Sequence, residues 1–194
     1  KTHILDINEI DQAPLNSLVY NRYTDFYLSD PKSAHLKNLF NDQQIHLSPH
    51  PYEYFLLADK QRMADWNKQT EVIKPQSLLK IYDLGTEDKD FIWSERKKLF
   101  FKPKTSFGSK QAYKGANISR KTFDELFGQD FIGQEYVMPS EIDVTIENVP
   151  QKLKYDLRCY AYDGKLQLII ARLYQGQATN LRTPGGGFAI VKIN

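Results

Sequence analysis

One cysteine, Cys159, occurs in 194 residues, so the chain forms no internal disulfide and carries no cysteine cluster for a structural metal. Its place on a strand-like stretch with apolar neighbours predicts a small buried core residue. Histidine is scarce as well. His3, His35, His46 and His50 lack cysteine or carboxylate partners at ligand spacing, and Pro49 interrupts any helix that would set His46 beside His50, so all four are expected at the surface. No apolar run approaches the ~20 residues that cross a bilayer, and no signal-peptide pattern opens the sequence, so no membrane partner is expected and the cytoplasm is the expected location. A net charge of +2 is too small to mark the whole chain as a nucleic-acid binder. The Gly-Lys-Ser/Thr that opens a Walker-type helix is missing too.

What is present is the mix of an ordinary globular protein, 41% hydrophobic and 26% charged, long enough for one core or two small lobes around a cleft. Its basic residues gather locally: Arg96, Lys97, Lys98, Lys102, Lys104, Lys110, Lys114, Arg120 and Lys121 fall close together. Within that region Leu99 to Phe101 predict a short buried strand, which Pro103 should stop just after Lys102 because proline donates nothing to a ladder. From Lys102 to Gly115 come glycines, small hydroxyls and further lysines, able to bring N–H and ammonium groups to a polyanion. A phosphate-binding loop and a solvated basic hairpin both fit that composition.

Ser17 to Arg22 predict a strand with a polar end where Asn21, Arg22 and Asp25 collect. Asp30 followed by Pro31 is a helix start, and Leu36, Leu39 and Phe40 give that helix its apolar stripe up to Asn41. Ile45 to Leu47 predict a second strand, after which Pro49 and Pro51 lead into one helix from about Tyr52 to Trp66. Strand, helix, strand, helix implies an α/β lobe with a parallel sheet. Lys60 lies inside that second helix, where an exposed lysine and a phosphate ligand are both open readings.

Thr70 to Arg96 is weakly patterned, with turns at Gly85 and Asp88 and a short helix through Phe91 and Trp93. Ser119 caps a helix through Phe123, Leu126 and Phe127, closed by Gly128, and Phe131 to Val137 predict a strand that ends at Met138-Pro139. Ser140 to Lys154 reads as an edge strand or an inserted loop. Lys154–Tyr162 and Lys165–Tyr174 form a hairpin about Asp163-Gly164, with Asp156, Arg158, Tyr160 and Tyr162 on one face and Tyr155, Leu157, Cys159 and Ala161 on the other. A two-residue turn sets position 158 opposite 169 and leaves Arg172 on the Cys159 face, so only a bulge would bring Arg172 toward Arg158. Asn180 and Arg182 stand as a carboxylate- or phosphate-binding pair before Gly185, Gly186 and Gly187, whose run implies tight backbone geometry or close approach of a ligand.

In order, these segments resemble the ATP-grasp family over roughly residues 45–190. Asp59-Lys60 matches its first lysine, Lys102-Pro103 its strand-end lysine, and Ser106 to Gly115 its glycine-rich flap. Gln134-Glu135-Tyr136-Val137 matches the hinge that holds adenine. Asp156-Leu157-Arg158, Asp163-Gly164, Arg172, Asn180 and Gly185-Gly186 are similar to the peptide-ligase branch, and Val19-Tyr20-Asn21-Arg22 and Gly185 to Ala189 to bacterial ATP-grasp proteins of unassigned substrate.

The resemblance implies an α+β, two-lobed ATP-grasp fold over residues 71–194, preceded at 1–70 by part of a small α/β pre-ATP-grasp domain. It implies an ATP-dependent carboxylate–amine ligase acting through an acyl phosphate, with ATP and magnesium as cofactors and a carboxylate and an amine, peptides among them, as substrates. Lys60 and Lys102 would hold phosphates under Ser106, Gly108 and Ser109. Gln134, Glu135, Tyr136 and Val137 would take adenine and Asp156 the ribose. Arg158 and Arg172 would be catalytic, and Asn180 and Arg182 would bind substrate. The family's closing aspartate and Glu-x-Asn, which hold two magnesium ions, have no counterpart in the sequence, so the metal ligands are unassigned. That departure keeps a catalytically silent nucleotide-binding or partner-recognition module open. Single-stranded nucleic-acid binding by Phe100, Phe101, Phe107 and Tyr113 is opposed by the burial expected of strand phenylalanines.

Overall fold

The computed structural model describes residues 1–70, 76–105, 111–176 and 179–192, in a mixed α+β arrangement of three sheets. At the N-terminal end Asp6 and Glu9 form a reciprocal cap on a 3-10 turn, and β1 (Leu18–Tyr20) runs parallel to β2 (His46–Ser48) with Leu18 opposite His46. Between them the Asp30 carboxylate accepts the Lys32 N–H at 2.9 Å, Pro31 opens a 3-10 turn, and α1 (Ala34–Asn41) follows. Leu36 from that helix joins Ile10, Leu28, Ile45 and Leu47 in one apolar cluster.

Two expectations fail just beyond this unit. His50 is half-buried rather than a surface residue: its Nδ1 accepts the Tyr52 N–H at 3.2 Å, its ring stacks on Phe40, and Glu53 returns a bond to its own N–H. The single helix from Tyr52 to Trp66 is two helices, α2 (Pro51–Leu57) and α3 (Gln61–Lys68). The break arises because the Tyr54 carbonyl takes the N–H groups of both Ala58 and Asp59, and the buried Asp59 carboxylate restarts the chain by accepting the Gln61 N–H at 2.8 Å. Lys60 therefore stands in the junction and not on a helix flank.

The central sheet is antiparallel throughout, in the order β3-β6-β4-β5, from β3 (Ile81–Asp83), β4 (Leu99–Pro103), β5 (Tyr113–Lys114) and β6 (Phe131–Glu135). Period two sends Leu99 and Phe101 to one face, where α4 (Lys89–Glu95) and α5 (Arg120–Leu126) cover them with Ile92, Phe123 and Leu126. Ile132 is buried on the opposite face against Ala64 of α3, together with Ile81. Lys102 is paired with Ile132 and shares that second face. β4 continues through Pro103 instead of stopping before it. β5 pairs only with Phe100 and Phe101, so Pro103 sits where β4 is an edge and its missing N–H leaves no partner unpaired. α3 lies on the N-terminal side of the expected division at residue 70, yet it packs on this sheet.

The third sheet is a meander, β7 (Ser140–Ile146), β8 (Val149–Tyr162), β9 (Lys165–Tyr174) and β10 (Gly187–Ile190), each strand antiparallel to the last. Both of its tight turns have two residues at positive φ, Glu147-Asn148 at 49° and 64° and Asp163-Gly164 at 48° and 68°, the handedness that suits strand twist. β7 is thus an edge strand, and β8 begins five residues before the expected Lys154. In β9 Gln167 is an extra residue: Ala161 faces Leu166 but Tyr160 faces Leu168. This bulge moves Arg158 opposite Ile170 rather than residue 169, and sets Arg172 directly across from Asp156. Cys159 is exposed, against expectation, because nothing among the described residues covers this stretch of β8, and Leu157 beside it is 53% exposed.

Candidate functional site

Where the central sheet meets the meander lies a cavity of about 360 Å³. Leu79, Phe100, Tyr136, Tyr155 and Tyr174 give it apolar and aromatic walls, and Lys102, Gln134 and Asp156 give it polar ends. Phe100 and Tyr136 stack with their rings 16° from parallel, and Lys114 Nζ lies 4.4 Å over the outer Tyr136 ring. The Tyr136 N–H is spent on the Lys98 carbonyl at 2.8 Å. Val137 and Met138, next along the wall, make no backbone hydrogen bond among the described residues, so an unpaired peptide edge borders a flat slot.

At the other end, Lys102 Nζ donates to Gln134 Oε1 at 2.6 Å and lies 5.4 Å over the Phe100 ring. No carboxylate is within ion-pair distance of it among the described residues. Burial, then the nearby Lys60 ammonium, push the Lys102 pKa below the ordinary lysine value. Lys60 is also lowered, by burial only partly offset by Asp59, and its Nζ donates to the Lys104 carbonyl at 3.0 Å. Two half-buried cations near enough for one to lower the other's pKa, with no carboxylate at Lys102 among the described residues, suit an anion with more than one negative oxygen.

The remaining lysines of the basic cluster divide differently. Lys104 is not available to a ligand: its Nζ is 3.0 Å from Asp83 and 2.9 Å from Asp130. Ser106, Gly108 and Ser109, together with Lys110 and Phe107, lie outside the described residues.

The bulge in β9 delivers Arg172 to Asp156, Nε donating to Oδ1 at 2.5 Å, while the Thr179 hydroxyl donates to Oδ2 at 2.7 Å. Both oxygens of Asp156 thus carry a donor already, and each keeps one further lone pair toward the cavity. Arg158 lies on the same face, exposed and outside the cavity wall. Asn180 and Arg182 are not brought to the cavity: Asn180 Oδ1 caps the Arg182 N–H at 3.0 Å, a local turn, and the Arg182 side chain is exposed. In the glycine run Gly185 has φ 69°, and a Cβ there would come within 2.6 Å of Ile146, so tight packing explains it. Glu135 is exposed at the end of β6 and binds the Lys80 N–H at 3.2 Å.

Thr179, Tyr155, Tyr174, Leu79 and Phe100 escaped the sequence reading as cavity residues. Aromatic residues within and at the end of the paired hairpin strands were the available signal for the two tyrosines; Thr179 had none. A second hollow of about 460 Å³ beside Glu141 and Pro184 is less suited to an anion, since Lys152 faces Glu141 at 3.8 Å and Lys154 donates to the Gly176 carbonyl at 2.8 Å. Among the described residues no group of three histidine, cysteine, aspartate or glutamate side chains is placed to hold a metal ion, so these residues do not assemble a magnesium site. Nor is any described helix long and apolar enough to cross a membrane. No protein-family model and no curated protein matches the chain.

Proposed function

We propose that the chain binds a purine nucleoside triphosphate in the manner of ATP-grasp proteins and serves an ATP-dependent carboxylate–amine ligase. The observation that carries this reading is a single cavity with an unpaired peptide edge and stacked aromatic walls at one end and Lys102, backed by Lys60, at the other. A planar base needs the first, since a ring edge pairs with N–H and C=O groups while its faces stack. A polyphosphate needs the second. Asp156, which the meander contributes to the cavity wall, keeps lone pairs for sugar hydroxyls.

In such a ligase the terminal phosphoryl group passes to a carboxylate oxygen, an amine nitrogen then attacks the acyl carbon, and phosphate leaves as the amide forms. The part of this chain is to bind and to orient. Lys60 and Lys102 neutralise phosphate oxygens, and Arg172, fixed by Asp156, presents its remaining guanidinium N–H groups where charge develops on the phosphoryl oxygens. Arg158 extends that basic face. Magnesium would supply further charge neutralisation in ATP chemistry, and the described residues do not gather its ligands.

That same lack favours a second reading, a nucleotide-binding module without turnover. Release of ADP that depends on an added amine separates the two. The binding claim is tested by thermal unfolding with millimolar ATP, with and without magnesium. Ligand at 100 times its dissociation constant stabilises by about 2.7 kcal/mol, a shift of several degrees, whereas an unmoved midpoint in both conditions would reject the reading. Nucleic-acid binding is disfavoured, because Phe101 is fully buried and Phe100 is committed to the cavity wall.

A further inference from the structure

The outer edge of β10 is open. β10 pairs with β9 on one side, and no strand among the described residues lies on the other. The Val191 N–H donates to the Ile169 carbonyl at 3.0 Å. Paired residues alternate in an antiparallel ladder, so Gly187 and Ala189 turn their N–H and C=O groups toward β9 as Val191 does, and Phe188 and Ile190 turn theirs outward. Those outward groups make no hydrogen bond among the described residues.

The side chains are as uncovered as the backbone. Phe188 is 61% exposed and Ile190 74%, both on the face that carries Arg172 and Ile170. Folded chains ordinarily blunt an edge by keeping it very short or by placing charge on it. β1, β2 and β3 have three residues each, β5 has two, and β7 carries Glu141 and Asp143. β10, Gly-Phe-Ala-Ile, has neither charge nor proline.

We propose that the outer edge of β10 pairs with the same edge of a second copy of this chain, antiparallel across a two-fold axis at Ala189. An antiparallel strand pair maps onto itself under a two-fold rotation, so one edge supplies both sides. With Ala189 opposite Ala189 of the second copy, Phe188 stands opposite Ile190 of that copy, and Ile190 opposite its Phe188. Each of these two pairs exchanges two hydrogen bonds between the outward groups and sets an aromatic against a β-branched side chain. The absence of charge on the strand favours its own like over an acidic or basic partner, and the two meanders become one continuous sheet. The contact is of the small class, below about 1,200 Å² in total, so the expected dissociation constant is on the order of 10 µM. The pairing rests on ladder geometry and is independent of the nucleotide reading.

Sedimentation of the full chain, from about tenfold below to about tenfold above that value, is expected to show monomer passing into dimer. Ile190→Pro removes an N–H that β9 does not use, so it is expected to weaken the dimer at least about tenfold and leave the unfolding curve of dilute protein unchanged. Ile190→Lys keeps the N–H and puts charge on the edge; it is expected to weaken the dimer likewise, and it stands in if the proline variant fails to fold. Register is read by cross-linking in a Cys159→Ser background. Ala189→Cys sets two Cα atoms about 4.5 Å apart, within disulfide reach, whereas Phe188→Cys leaves its pair on the diagonal at about 7–8 Å. Mild oxidation is expected to link the first pair and spare the second. A chain that stays monomeric throughout overturns the proposal and leaves the edge to an extended segment of another protein. A dimer that both Ile190 variants leave intact, species larger than a dimer, or a disulfide that forms no faster at 189 than at 188 overturns it equally.

Discussion

Burying the Lys104 ammonium beneath the cleft is costly, and two carboxylates offset the cost. Burial acts to lower its pKa, but pairing with Asp130 and Asp83 outweighs that and leaves it raised. Asp83 mirrors it: burial pushes up, while Lys104, the Gly85 N–H and Gln61 pull the pKa below the ordinary value. With the two side chains 11% and 7% exposed, Lys104→Met strands a buried carboxylate and is expected to cost about 3–5 kcal/mol in urea unfolding at neutral pH. The sign in acid follows from the lowered Asp83 pKa. Its contribution is present above the ordinary carboxylate pKa and disappears as pH falls through the folded value, so the penalty of Lys104→Met should shrink there. Lys102 behaves differently, since among the described residues no carboxylate pairs with it. Lys102→Ala is expected to lower ATP affinity about 10- to 100-fold, the worth of one charged hydrogen bond, with little change in the unfolding midpoint. That Lys104 is held by two carboxylates and Lys102 by a neutral amide was not readable from Lys-Pro-Lys, because the distinction depends on Asp83 and Asp130, more than 15 residues away on either side.

Local signals located most elements. Asp30-Pro31, Ser119 and Asp163-Gly164 each announce their element through chemistry within four residues, and each is where it was expected. What stayed hidden was set by neighbours in space. The Glu147-Asn148 turn lacks glycine, β3 is three residues long, the helix break depends on Tyr54 and Asp59, and the β9 bulge has no marker at Gln167. The expected residues Lys102 and Gln134 to Val137, at and just past strand ends, and Asp156, on the hairpin announced by Asp163-Gly164, line the cavity, whereas Asn180 and Arg182 do not, their loop serving its own turn. At the same scale Gly115 joins two 3-10 turns so closely that a Cβ would lie 2.0 Å from the Arg96 carbonyl oxygen. Gly115→Ala must displace backbone, and a loss of about 1–3 kcal/mol is expected in chemical denaturation.

At the scale of the whole molecule, the proposed nucleotide binding would be proton-linked, because Lys102 on the cavity wall and Lys60 near it both have pKa values lowered from the ordinary lysine value. A bound polyphosphate raises both lysine pKa values toward or above the ordinary one, so the complex holds more protons than the free chain. ATP affinity is therefore expected to fall as pH rises through the lowered lysine values, with proton uptake visible as a buffer-dependent enthalpy. Adenosine binding, which touches neither group, should show no such dependence.

Cys159 offers a way to watch this happen. Because it is the one thiol in the chain and it stands uncovered on β8, three residues from Asp156, a maleimide fluorophore will attach at a single known place without mutagenesis. Its emission would then report any swing of the meander against the central sheet when ATP is added.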